Sequence, residues 1–202
     1  MSGQRRLVLA SRNPGKLAEV RRILAGEVEV IGLDEVADYP EPAETGESFE
    51  ENALIKAREC VRRTGLPAVA DDSGLCVDAL NGMPGVLSAR WSGRHGDDAA
   101  NLALVLAQIS GVPGARRGAA FVCAAALVAP SGTEEVVLGE VRGTLLRSPR
   151  GEGGFGYDPI FVPVGEDRTT AEMAPQDKDA LSHRGRALRA LAPSVRAHVG
   201  GW

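Results

Sequence analysis

Asp71 and Asp72 stand side by side in Ala70-Asp71-Asp72-Ser73-Gly74, directly after the apolar run Leu66-Pro67-Ala68-Val69-Ala70. Such a run reads as a buried strand, and α/β proteins bind ligands in the crevice at the carboxyl ends of their strands. Two adjacent carboxylates there repel each other unless a cation is present. A solvated turn is the competing reading, because Asp, Ser and Gly all form turns. Glu44, in Glu44-Thr45-Gly46, adds another acid, and Asn52 and Lys56, four apart on the next helix, share one face. Glu44 with Asp72 suits Mg²⁺, which takes one or two protein carboxylates and fills its shell with water and phosphate. Lys56 would face those phosphates; for Glu44 the alternative is an ordinary loop acid.

The basic residues carry a second signal. Among 23 Lys plus Arg, the only lysines are Lys16, Lys56 and Lys178. A compact ammonium enters a phosphate pocket where a planar guanidinium does not fit. Lys16 closes the segment Ser11-Arg12-Asn13-Pro14-Gly15-Lys16 between a strand and a helix. Backbone N–H groups at a helix start, with a lysine beside them, make an anion site. A cation there opposes the helix dipole, a cost that function explains; a solvated lysine is the alternative. The segment is not a Walker loop, since the upstream glycine and the Lys-Ser/Thr pair are missing.

Gly151-Glu152-Gly153-Gly154-Phe155-Gly156 formally satisfies Gly-x-Gly-x-x-Gly. The dinucleotide reading fails, because no strand-to-helix turn follows and Pro159 forces Asp158 towards an extended conformation. Phe155 and Tyr157 in this loop suggest a platform for stacking a base, against the alternative of two core aromatics. Lys178 and Ser182-His183-Arg184 head the last predicted helix, where donor-rich side chains can meet a purine O6 and N7; a solvated helix face is the alternative. Ser73 lacks the Gly-x-Ser-x-Gly context of an acyl-transfer nucleophile.

These residues need elements to place them. Periodicity predicts strands over 6–10, 28–31, 66–70 and 75–77, and helices from about Lys16 to Ala25 and from Glu47 to Arg63, with Ser48 as cap. A helix capped by Asp97 or Asp98 runs to about Ile109. Long β-like runs at 119–128 and 135–145, split by Pro130-Ser131-Gly132, suggest an antiparallel pair, and a final helix covers about 182–199. This alternation implies an α/β chain with a mixed central β-sheet flanked by helices.

At 202 residues the chain is read as a single domain, 1–202, long enough for a sizeable core. A net charge of −4 argues against nucleic acid as a partner. Cys60, Cys76 and Cys123 are scattered, with no metal spacing and no disulfide framework. Met1–Arg6 leads into only four apolar residues, too few for a signal core, and no run is long enough to span a bilayer. A cytoplasmic protein without a membrane partner is expected.

Phosphate cradle, divalent cation, acid and purine platform together describe a nucleoside-triphosphate hydrolase without a P-loop. The chain resembles the inosine triphosphate pyrophosphatases, or XTP/dITP diphosphatases. Ser11-x-Asn13-x-x-Lys16, Glu44-Thr45-Gly46, Glu51-Asn52-Ala53, Lys56-Ala57 and Ala70-Asp71-Asp72-Ser73-Gly74-Leu75 carry the resemblance. So do Gly82-x-Pro84-Gly85, Ser88-Ala89-Arg90, Gly153-Gly154-Phe155-Gly156-Tyr157-Asp158-Pro159, Lys178 and Ser182-His183-Arg184. Ser11 stands where threonine is common, and it keeps the hydroxyl.

The resemblance implies two lobes around a nucleotide-binding cleft, a homodimer, and Mg²⁺-dependent hydrolysis of ITP, dITP and XTP to monophosphate and pyrophosphate. It implies Asp72 as catalytic acid-base residue and metal ligand, with Glu44 the second ligand. Substrate contacts fall on Ser11, Arg12, Asn13, Pro14, Gly15, Lys16, Lys56 and Ser73, and base or sugar contacts on Phe155, Gly156, Tyr157, Asp158, Lys178, His183 and Arg184. Arg184 is expected to donate to the purine 6-oxo group, and Asp71 receives no role. Two alternatives stay open: a pyrophosphatase for other modified nucleotides, and a nucleotide sensor without turnover.

Overall fold

Strand β1 (Arg6–Leu9) is followed by helix α1 (Pro14–Ile23), β2 (Glu29–Gly32), α2 (Phe49–Thr64) and β3 (Ala68–Val77). These coordinates are a computed structural model that describes residues 6–26, 28–36 and 39–199; Met1–Arg5, read above for a leader, lies outside them. β1 pairs parallel with both β2 and β3, as strands joined through a helix must. The chain continues with α3 (Asp98–Gln108), β4 (Gly118–Val128), β5 (Glu134–Leu145), β6 (Phe161–Pro163), α4 (Pro175–Leu181) and α5 (His183–His198).

The six strands form one sheet in the order β2-β1-β3-β4-β5-β6. β6 runs antiparallel to β5, and only Ala129–Thr133 separates β4 from β5, too short for a parallel crossover. The sheet is mixed, as its sequence pattern implies. β4 is rich in alanine and buried almost throughout, whereas from Leu138 onward β5 alternates exposed and buried residues. That contrast is the difference between a strand covered on both faces and one covered on a single face.

Contacts divide the chain into two compact units. The first holds Met1–Asp72, Cys123–Gly139 and Arg184–Trp202, and the second Ser73–Val122 and Glu140–His183. The first is built on Leu7, Leu9, Val20, Val69, Leu127 and Leu188. Leu75, Val105, Ile109, Phe121, Ile160 and Phe161 fill the second. Cys60 and Cys123 are buried free thiols and Cys76 is a half-buried one.

Helix α2 begins where its capping chemistry predicts. The Ser48 hydroxyl accepts from Glu51 N at 3.2 Å, acids occupy the first turn, and Arg62 and Arg63 the last.

Two sequence expectations are corrected. The acidic stretch is not a turn between two strands, because residues 68–77 form one continuous strand. Successive side chains of a strand point to opposite faces, so Asp71 and Asp72 diverge instead of sharing a site. Lys178 does not head the last helix either. It lies in the separate helix α4, which ends where Ser182 adopts an extended conformation.

Candidate functional site

One face of β3 carries Asp72. Its Oδ2 accepts from the Asn52 amide at 3.0 Å, and its Oδ1 lies 3.5 Å from the Lys56 ammonium. Lys56 also donates to Glu44 Oε1 at 2.9 Å. The i, i+4 spacing on α2 thus aims both side chains at this strand. Asn52 is fully buried and uses both ends of its amide, since its Oδ1 accepts from Gly46 N at 2.8 Å. Gly46 is required for this approach, because a Cβ there would lie 2.6 Å from the Glu51 Cβ and 3.0 Å from the Asn52 backbone nitrogen. Asn52 therefore fixes the Glu44 loop and the Asp72 carboxylate together.

In this cluster the Lys56 ammonium lies between two carboxylates, those of Asp72 and Glu44. Burial pushes the Asp72 carboxyl up, Lys56 pulls it down and Glu44 pushes it up again, with the net shift upward. Burial opposes the Lys56 charge, but Asp72, Asp71 and Glu44 outweigh it and raise its pKa. The donor set fits Mg²⁺, a hard cation that takes oxygen ligands and needs only one or two protein carboxylates. Among the described residues no group of three or more His, Cys, Asp or Glu is placed to hold a metal.

The opposite face carries Asp71. Asp71 Oδ2 lies 3.0 Å from the Lys16 ammonium and accepts from Arg184 Nε at 3.0 Å. A second arm of Arg184 donates to Glu19 Oε2. All but Lys16 have side chains less than a tenth exposed. Burial alone would raise the Asp71 carboxyl, but Lys16, Arg184 and Lys56 hold it far below the usual carboxylate range. Burial likewise opposes the Arg184 charge, and Asp71 and Glu19 outweigh it.

This network explains Lys16, whose ammonium reaches a buried carboxylate instead of opposing the dipole in solvent. The start of α1 presents fewer donors than the sequence suggests. Pro14 has no N–H, and Asn13 Oδ1 accepts from Gly15 N at 2.9 Å and Lys16 N at 3.2 Å. The Ser11 hydroxyl accepts from Asn13 N at 3.2 Å. Arg12 clamps a neighbouring loop, donating to the Tyr39 carbonyl at 2.7 Å and to Asp34 at 3.1 Å.

In the second unit, Asp158 is the hub. Buried to 3 % exposure, it accepts from Lys178 Nζ at 2.6 Å, Phe155 N at 2.8 Å and the Thr170 hydroxyl at 2.8 Å. Lys178 lies 5.0 Å from the centre of the Phe155 ring, a cation–π distance, and that ring is 44 % exposed. His183 stacks on Phe121 with ring centres 4.9 Å apart and planes 13° from parallel. Lys178, His183, Phe121, Phe161 and Met173 line one small cavity. Ser73 lies half-buried in β3.

Tyr157 is not part of a stacking platform. It is buried, its hydroxyl donating to the Ser88 carbonyl at 2.9 Å, so the core-aromatic alternative holds for it. Arg184 does not present a free fork to a base: Nε and Nη1 are committed to Asp71 and Glu19. Glu19 was missed. An acid at i+3 from Lys16, one position before the core residue Val20, is the signal that marks it.

The Ham1 family model matches residues 7–194. The chain belongs to the Ham1 family. A dITP/XTP pyrophosphatase of Nocardia farcinica is 65 % identical over 196 residues, covering 95 % of each chain. The dITP/XTP pyrophosphatase of Mycobacterium tuberculosis is 60 % identical over 200 residues, covering 97 % of this chain and 98 % of its own. Solved Ham1-type structures agree. The nucleoside-triphosphatase / dITP/XTP pyrophosphatase of Mycobacterium abscessus superposes with a TM-score of 0.76 at 65 % identity, covering 93 % of this chain and 99 % of its own. A HAM1 protein of Coxiella burnetii gives 0.85 at 43 % identity, covering 95 % and 98 %. The family resemblance read from the motifs is borne out. No helix among the described residues is long and apolar enough to cross a membrane.

Proposed function

We propose that this chain hydrolyses dITP, ITP and XTP to the monophosphate and pyrophosphate, water attacking the α-phosphorus, and so clears deaminated purines from the nucleotide pool. The observation that carries the reading is the cluster in which Lys56 lies between the carboxylates of Asp72 and Glu44, in a Ham1-family chain. Asp72 accepts the proton of the attacking water. Asn52 orients Asp72 for the transfer. Lys56 and Lys16 meet the phosphates, with Ser11, Asn13 and Ser73 as neutral contacts. Glu44 and Asp72 are the residues that would hold Mg²⁺. When bound, the ion neutralises charge on the phosphates and on the departing pyrophosphate.

The purine is assigned to the second unit. A base stacked on the exposed face of Phe155 lies beside the donors of Lys178, with His183 as a further contact. A 6-oxo group accepts from such a donor, whereas the 6-amino group of adenine leaves it unpaired, a mismatch worth a large factor in selectivity. A contact from Arg184 would require opening of its carboxylate network. Cytoplasmic location and a homodimer, with no nucleic-acid or membrane partner, complete the proposal; light scattering tests the dimer.

The test is direct. Protein, Mg²⁺ and each of ITP, dITP, XTP, ATP and GTP are incubated, and products are resolved by phosphorus NMR. Monophosphate with pyrophosphate from the deaminated purines, in clear preference to ATP and GTP, is expected. Release of single phosphates, or no turnover, refutes the proposal.

A further inference from the structure

The glycine-rich loop is tied to helix α3 by a side chain outside every site motif. The cap of α3 is Asp97, whose side chain accepts from Ala100 N at 3.1 Å. Asp98, the next residue, is not needed for that cap, and its Oδ2 accepts instead from Gly156 N at 2.8 Å, 58 residues away. Backbone bonds from the loop reach two further partners. Gly153 N donates to the Ala171 carbonyl at 3.0 Å, and Phe155 N to Asp158 Oδ2 at 2.8 Å. Gly156 has φ +61°, a left-handed conformation that glycine adopts without strain and that it leaves as easily. Alongside runs an open groove of about 620 Å³, lined by Asp98, Leu102, Leu106, Phe155 and Gly156. The loop therefore has room to move.

We propose that Asp98 is a positioning residue that latches the Phe155–Gly156 peptide and so holds the Phe155 ring in place for the purine. Asp158 fixes the amide on one side of the ring and Asp98 the amide on the other. With both bonded, the ring projects from a peptide pinned at two successive nitrogens. With Asp98 truncated, Gly156 is released and the ring samples the groove, so the base loses an ordered partner before any chemistry occurs. The proposal rests on the base-stacking role given to Phe155 above. The chemical groups Asp72, Lys56 and Glu44 are untouched, so the loss falls on binding and not on turnover.

Asp98→Ala and Asp98→Asn separate this role from a structural one, since the Asn amide oxygen still accepts from Gly156 N. In the full-length protein, KM for ITP should rise about tenfold in Asp98→Ala, with kcat within about twofold of wild type, as loss of a hydrogen bond to a charged acceptor implies. Asp98→Asn should restore KM to within about threefold. Hydrogen exchange of the Gly156 amide, read without nucleotide, should quicken by about tenfold or more in Asp98→Ala only. An unchanged Gly156 exchange rate overturns the latch whatever the activity shows. An unchanged KM with faster exchange overturns its link to base binding. Equal melting losses in both variants, with KM unmoved, would reveal a helix-start role instead. If wild type does not hydrolyse ITP, the functional reading fails, and the exchange measurement still decides the latch.

Discussion

The two faces of β3 hold adjacent aspartates with opposite fates. Asp71 pairs with Lys16 and shares Arg184 with Glu19, and its carboxyl is held far below its ordinary value. Asp72 shares one lysine with Glu44, and its carboxyl is raised. Both are buried, and the surrounding charges differ: Lys16, Arg184 and Lys56 pull the Asp71 carboxyl down, whereas Glu44 works against Lys56 at Asp72. The Asp71 network holds β3, α1 and α5 together within the first unit. The Asp72–Glu44 pair offers oxygen ligands to an arriving cation. On the proposed reading, neighbours in sequence divide the work, Asp71 structural and Asp72 chemical.

Breaking the Asp71 face should produce the largest change in stability. Asp71→Asn leaves Arg184 and Lys16 under-neutralised in a buried setting, and we expect a loss of about 3–5 kcal/mol in chemical denaturation. The pH dependence has a definite sign. Asp71 has a folded pKa below its unfolded value near 3.8, so its contribution is complete above that value and declines as pH falls towards the folded pKa. The stability gap between wild type and Asp71→Asn should therefore be constant near neutrality and close in acid.

Smaller changes sharpen the other face. Asn52→Ala removes the donor to Asp72 and the acceptor for Gly46, and kcat should fall about ten- to a hundredfold in a steady-state assay. Ser48→Ala removes only the α2 cap. It should cost about 1 kcal/mol in a melt while kcat stays near wild type, because Asn52 and Lys56 lie beyond the first turn.

The fold was legible where local pattern decides it. Ser48 and Asp97 cap the helices they were expected to cap, and the Ala129–Thr133 turn joins the strands predicted around it. The acidic stretch was misread because Asp, Ser and Gly carry turn propensity, whereas the outcome was set by cations supplied from α1, α2 and α5. No local window contains those partners. The lysines were legible because so few survive among the arginines, and each is found paired with a carboxylate. Arg184 and Tyr157 were harder. Their types suit a base pocket, but Glu19 and the Ser88 carbonyl, which claim them, are visible only after folding. Asp98 carried a signal that helix capping absorbed, since Asp97 beside it explains one acid and not two.

Pyrophosphate release from dITP by Asp72→Asn, compared with wild type at saturating Mg²⁺, tests the central claim most directly. The substitution keeps the shape and the Asn52 contact while removing the proton acceptor. We expect turnover to fall by about 10²–10⁴-fold with the melting temperature unchanged or raised. Near-full turnover in a folded Asp72→Asn protein would contradict the assignment of chemistry to this face of β3.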